Sequence, residues 1–338
     1  MAIYLKKFEN HTQYENYING SGAILPNVSI CTTEGDVHYN PYVEPIETRV
    51  VAKFNVIDTS NPTSIIGEYA EDQFIKVEID GVEQPSVTTG YTFSTTGEHT
   101  VKYTLTDPTI IGESAFEDCS SLTSVTIPNS VTGIGGSAFY NCSSLTSIDI
   151  PNSVTSIGER AFEECGGLTS CTIGSGVTTI NDSAFYYCTS LTSIDIPNSV
   201  TTIGDFAFCD CGSLSSITIG SGVTTIGDNA FYNSYSLTSI DIPNSVTSIG
   251  EYAFGYCGNL ISCTIGSGIT SIGNNAFGDC VRLINVTILA SVPPTIDYST
   301  FDYIVEGRKI YVPSGSVNTY KTASEEWEQY AEDIEPIQ

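Results

Sequence analysis

Three histidines, His11, His38 and His99, and eleven cysteines are the side chains here best suited to proton transfer, nucleophilic attack or metal binding. Their spacing argues against all three roles. The histidines precede residue 100, whereas Cys119, Cys142, Cys165, Cys188, Cys211, Cys257 and Cys280 fall on one ladder, and Ser234 fills its missing step. Cysteine that exchanges with serine marks a small inward side chain with a weak donor. Cys209 and Cys211 lack a second pair or a nearby histidine, so no closed zinc site is expected. The odd cysteine count, with no apolar run after Met1 long enough for a secretory leader, points to free thiols made in a reducing compartment. No Walker loop, dinucleotide-binding glycine pattern, nucleophile elbow or histidine pair is present. The expectation is a protein that is not an enzyme, with no catalytic residues, metal or cofactor.

What the remaining pattern can do is recognise. Asp149, Asp195 and Asp241 recur every 46 residues, and Thr172, Thr218 and Thr264 take the equivalent position between them. Ser147, Ser170, Ser193, Ser216 and Ser239 stand two residues earlier. Pro151, Pro197 and Pro243 alternate in step with Gly174, Gly220 and Gly266. Two accounts are open. Duplication of a two-repeat unit would retain a charge pattern that keeps like charges apart, or the column is a hydroxyl and carboxylate face that hydrogen-bonds a polar ligand. A second candidate surface is aromatic: Tyr140, Tyr186, Tyr187, Phe206, Tyr232, Tyr235, Tyr252 and Tyr256 vary from repeat to repeat. Such side chains supply contact area at low entropic cost, or else pack neighbouring turns together.

The elements that position these residues follow from one period. Ala115-Phe116, Ala138-Phe139, Ala161-Phe162, Ala184-Phe185, Ala207-Phe208, Ala230-Phe231, Ala253-Phe254 and Ala276-Phe277 are spaced by 23 residues without a break. A unit this short cannot bury its own apolar side chains, so copies must stack as rungs of a solenoid. Within a rung, Leu191 to Ile196 reads as a strand whose alternate residues face outward. A Pro-Asn-Ser or Gly-Ser-Gly turn follows, then a helical turn carrying Ala-Phe-x-x-Cys. The inward set is Leu191, Ile194, Ile196, Val200, Ile203, Ala207, Phe208 and Cys211.

Leu-x-x-Ile-x-Ile-Pro-x-x-Val-x-x-Ile-Gly-x-x-Ala-Phe-x-x-Cys closely resembles the BspA-like leucine-rich repeat, over residues 108–291. That resemblance implies a mostly β, leucine-rich-repeat solenoid with a parallel sheet on one face, and a role in adhesion. Residues 292–338, with Lys309 to Ser316, Tyr320 and Trp327, look like the segment that caps such arrays. Ahead of the repeats, Arg49–Val56, Phe74–Ile79 and His99–Leu105 alternate with period two, and Asp80-Gly81 and Thr96-Gly97 supply turns. This pattern over 46–107 resembles a small immunoglobulin-like β-sandwich. Residues 1–45 read as a leader or attachment module, similar to those on proteins of gut bacteria and their prophages. There Thr12 and Glu15 open a short helix ended by Gly20, and Val28–Cys31 and Val37–Asn40 flank a turn at Gly35.

Charge narrows the partners. With 39 acidic and 11 basic residues the net charge is −28, and no lysine lies between Lys102 and Lys309. Such a surface repels phosphate backbones and anionic headgroups, which excludes nucleic acid and membrane surfaces, and no segment suits membrane insertion. The expected partner is a protein or glycan ligand on a host cell, matrix or bacterial surface, with a virion or scaffold partner through residues 1–45. Synthesis in the cytoplasm and later release would place the protein on a virion or cell surface, as a phage receptor-binding or decoration protein. The alternative is a structural scaffold or spacer within a larger assembly.

Overall fold

The computed structural model describes residues 30–31, 37–38, 49–302 and 306–338. The chain divides into two units, Met1–Thr48 and Arg49–Gln338. In the first, Ile30–Cys31 pairs antiparallel with Val37–His38, and the turn expected at Gly35 lies outside the described residues. The helix expected from Thr12 to Gly20 lies outside the described residues.

In the second unit each rung contributes one longer and one shorter strand. Ser193–Ile196 pairs parallel with Ser216–Ile219, residue for residue, and Thr202–Ile203 pairs with Thr225–Ile226. The eight inward side chains of this rung are all buried. From Phe116 to Phe277 the phenylalanine rings stack with centroids 5.1–5.3 Å apart and planes within 10°. The thiols of Cys142, Cys165, Cys188 and Cys211 each donate to the carbonyl of a phenylalanine 26 residues earlier, and Ser234 Oγ does the same to Phe208 at 3.4 Å. A short donor is what the column needs, so sulfur and oxygen exchange there.

The Ala-Phe segment corrects the expectation of a helical turn. Phe206 (φ 57°) and Asp210 (φ 58°) are left-handed, and equivalent residues in every rung from Ser114 and Asp118 onward share the conformation. Two such residues prevent a helix from propagating. Backbone donors instead point sideways: the N–H groups of Phe206, Phe208 and Asp210 reach the carbonyls of Asp228, Ala230 and Tyr232 on the next rung at 2.7–2.9 Å.

The 46-residue alternation has a packing cause. Asn152 Oδ1, in a Pro-Asn-Ser turn, accepts from the N–H and hydroxyl of Ser175 in the Gly-Ser-Gly turn above it, at 2.8 and 3.1 Å. Asn198 holds Ser221 in the same way. A Cβ at Gly174 or Gly176 would collide with the backbone of Pro151 and Asn152, so the glycines let the turns nest.

At both ends the solenoid is closed by aromatic side chains. Val50–Val56, Phe74–Ile79 and Gly97–Leu105 lie where the alternation puts them, yet they do not form a sheet of their own. Val50–Val56 pairs with the first repeat strand, Leu122–Thr126, as well as with Gly97–Leu105. In place of the small immunoglobulin-like β-sandwich expected over 46–107, this sheet runs on into the repeats, and Phe74 and Tyr103 meet the ring of Phe116 edge-on at 5.7 and 5.1 Å. At the other end Phe301 continues the stack at 5.4 Å and Tyr330 closes it edge-on at 5.7 Å. Lys309–Val312 and Ile334–Pro336 prolong the parallel sheet, while the indole N–H of Trp327 donates to Pro294 O. The last strand is short and ends in proline, which blunts an exposed edge.

Candidate functional site

Both surfaces singled out by sequence are formed, on different sides of the rung. Ser147, Asp149, Ser170, Thr172, Ser193, Asp195, Ser216, Thr218, Ser239 and Asp241 are exposed on the outer side of the long strands, and Thr264 is half-buried there. Register sets Asp149 beside Thr172, Asp195 beside Thr218 and Asp241 beside Thr264. Successive carboxylates are therefore two strands, roughly 10 Å, apart, close to the screening length at physiological salt. Lys53 pairs with Ser124 on the same face at one end, and Lys309 pairs with Asn285 at the other. The result is a shallow row of hydroxyls and carboxylates between terminal lysines, suited to hydrogen bonding along a polar ligand.

The Ala-Phe turns build a ridge with more relief. Tyr187, Phe206, Tyr252 and Tyr256 occupy left-handed positions, where Ser183, Asn229, Asn233 and Asn275 stand in other rungs. Tyr140, Tyr186 and Tyr232 directly follow a repeat phenylalanine, and Tyr235 covers Gly212, where a Cβ would collide with its ring. Part of the set packs between turns: Tyr232 lies 5.2 Å from Tyr256 and 6.3 Å from Tyr252, and Tyr186 lies 6.1 Å from Tyr187. Yet Tyr187, Phe206, Tyr235 and Tyr256 remain 41–53% exposed. Burial, reinforced by Asp210, raises the phenol pKa of Tyr186, and burial with Tyr256, Cys209 and Asp210 does so for Tyr232. Both hydroxyls stay protonated and can donate.

A groove of about 650 Å³ opens in this ridge, lined by Tyr186, Phe206, Cys209 and Tyr232 together with Glu163 and Asp210. Arg160, the sole basic residue between Lys102 and Arg282, is at its edge. Its guanidinium forks onto Glu163 at 2.6 and 3.1 Å and lies 5.2 Å from the ring centre of Tyr140. Sequence reasoning named the tyrosines but missed Cys209, whose small side chain leaves the gap. The column that follows the phenylalanines carried the signal, since it reads Tyr186, Cys209, Tyr232.

Among the described side chains, His99 and the cysteines serve structure. His99 is buried against Phe93, with Nδ1 2.7 Å from Asp80 and Nε2 2.9 Å from Thr95 O. Burial opposes its charge, but the Asp80 and Thr95 hydrogen bonds prevail and raise its pKa. The ten cysteines from Cys119 to Cys280 are free, and burial pushes the thiols of Cys165, Cys211 and Cys280 up to about 12. Thiols held protonated in this way are poor nucleophiles. Among the described residues no cluster of three or more His, Cys, Asp or Glu could hold a metal ion, and no helix is long and apolar enough to cross a membrane.

A stack of parallel-strand rungs with a Leu and Ile core and an Ala-Phe turn defines a leucine-rich-repeat solenoid. The chain belongs to the BspA type leucine rich repeat region family, whose model matches in six copies over residues 109–237 and 178–308. Leucine-rich repeats of this kind are in general binding scaffolds, and no catalytic family is indicated. Among solved structures, a leucine-rich repeat protein of T. pallidum is 30% identical over 54% of this chain and 80% of that one, with a TM-score of 0.44. A leucine-rich cell surface protein from Faecalibacterium prausnitzii is 27% identical over 62% of this chain and 78% of that one, with a TM-score of 0.38. A leucine-rich repeat protein from Bacteroides ovatus is 22% identical over 69% and 76%, with a TM-score of 0.35. No curated protein matches significantly.

Proposed function

We propose that the protein is a non-enzymatic adhesion protein whose solenoid presents the Ala-Phe turn ridge to a protein or glycan ligand on a host-cell, matrix or bacterial surface. One observation carries this reading. Tyr187, Phe206 and Tyr256 are 41–50% exposed and held in left-handed backbone, where most other rungs place serine, asparagine or aspartate. For a bulky residue that conformation costs about 1–2 kcal/mol, and each of these rings leaves two-fifths to one-half of its surface open to a partner. Left-handed backbone that keeps large rings at the surface supports a functional reading. A phage receptor-binding or virion-decoration role is the finer version, which capsid or tail genes beside this one would favour.

The test is attachment of the labelled full chain to a panel of bacterial and epithelial cells. Tyr187→Ser, Phe206→Asn and Tyr256→Asp, combined in one chain, should abolish attachment and leave the protein folded. Attachment that survives this change but is lost on replacing Asp195 and Asp241 with lysine would move the site to the strand face. Survival of both would make the solenoid a spacer.

A further inference from the structure

The groove in the turn ridge has a composition that selects its occupant. Tyr186 and Tyr232, both half-buried, stand one rung to either side of Cys209, hence roughly 10 Å apart at the usual strand spacing, and the exposed Phe206 adds a third ring to the same lining. Charge is one-sided. Glu159, Glu163 and Asp210 contribute carboxylates, and the only cation, Arg160, is already forked onto Glu163. Among the described residues neither Glu159 nor Asp210 is in an ion pair. Asp210 Oδ1 instead accepts from Asn233 Nδ2 at 2.7 Å, which fixes its carboxylate at the groove.

Aromatic faces beside unneutralised carboxylates are complementary to an organic cation, which gains from the ring quadrupoles and from charge-assisted hydrogen bonds together. We infer that this groove takes a lysine or arginine side chain from a basic segment of a protein ligand. The inference rests on the turn ridge being the binding face and adds the ligand's chemistry. A neutral glycan could stack on Phe206, but it would leave the surplus of carboxylates without a counterpart. The whole chain reinforces the choice, because a net charge of −28 draws basic partners towards it at long range.

General attraction between opposite charges must be separated from the groove. Calorimetry of the full chain at about 0.15 M salt, where screening sets in within about 8 Å, would use a capped pentalysine peptide, with pentaglutamate and cellopentaose as controls. Pentalysine alone should bind. Cys209→Tyr fills the gap without altering net charge and should weaken binding at least about tenfold, as expected for loss of a partly desolvated cation–π site. Glu332→Gln, which removes a charge from an exposed position far along the chain, should change it less than about twofold. If Cys209→Tyr lowers the melting temperature, Tyr232→Ser is read in its place, with the same loss expected. Equal affinity in wild type and both groove variants, no pentalysine binding, or cellopentaose binding that the groove variants abolish would each overturn the inference. The two readings fail separately. Cell attachment lost in the triple ridge variant, yet indifferent to excess pentalysine, removes the cationic ligand and keeps the ridge. Attachment indifferent to the triple variant removes the ridge itself.

Discussion

The strand face and the turn ridge are produced by the same 23-residue rung, and they differ in how tightly backbone geometry constrains what the side chains can be. On the strand face parallel ladders leave outward positions free, and the sequence fills them almost monotonously with Ser and with Asp alternating with Thr. In the ridge two left-handed residues per rung favour Asn, Asp and Ser, yet Arg160, Tyr187, Phe206, Tyr252 and Tyr256 occur there. Variation against a conformational preference is more informative than regularity that agrees with one. On the proposed reading recognition lies in the ridge, and the strand face has the simpler tasks of solubility and charge spacing.

Three experiments would break or sharpen this contrast. Phe208→Ala removes one ring from the stack that both faces rest on, which should cost about 3–5 kcal/mol and lower the unfolding midpoint whichever face binds. An unchanged midpoint would mean that the stacked rings are not the common support. Phe206→Asn replaces an exposed ring by a residue suited to left-handed backbone and should raise stability by about 1 kcal/mol, measured by chemical denaturation. A loss of stability instead would show that Phe206 is there for packing, and the ridge would lose its claim. Smallest of all, Asp195→Lys with Asp241→Lys should move stability by no more than about 0.5 kcal/mol. A larger change would reveal that the strand-face charges are structurally coupled.

How far the fold can be read in advance depends on the range of the interaction. Phe208, Cys211, Leu191 and the rest of the inward set could be assigned because each occupies the same environment in every rung, so the period itself reports burial. Gly174 and Gly176 were visible as an alternation but not as a cause, since the reason lies in Pro151 and Asn152 of a different rung. Left-handed backbone at Phe206 and Tyr187 escaped the sequence because a helical turn and a tight corner need the same apolar spacing. The strands at 50–105 were read as such, whereas their junction with Leu122–Thr126 depends on an edge-to-edge pairing across many intervening residues.

By itself, the sequence determined the rung, the solenoid, the inward columns, the exchange of cysteine with serine and the outward row of Ser147, Asp149 and their equivalents. These are local, periodic consequences of side-chain size and polarity repeated every 23 residues. Tertiary structure alone decided that Phe74, Tyr103 and Tyr330 close the aromatic stack, that Asn152 holds Ser175, and that Cys209 opens a groove between Tyr186 and Tyr232. Each of these depends on which residues from different rungs come within van der Waals or hydrogen-bond reach, a distance that spacing along the chain does not fix until the rungs are stacked.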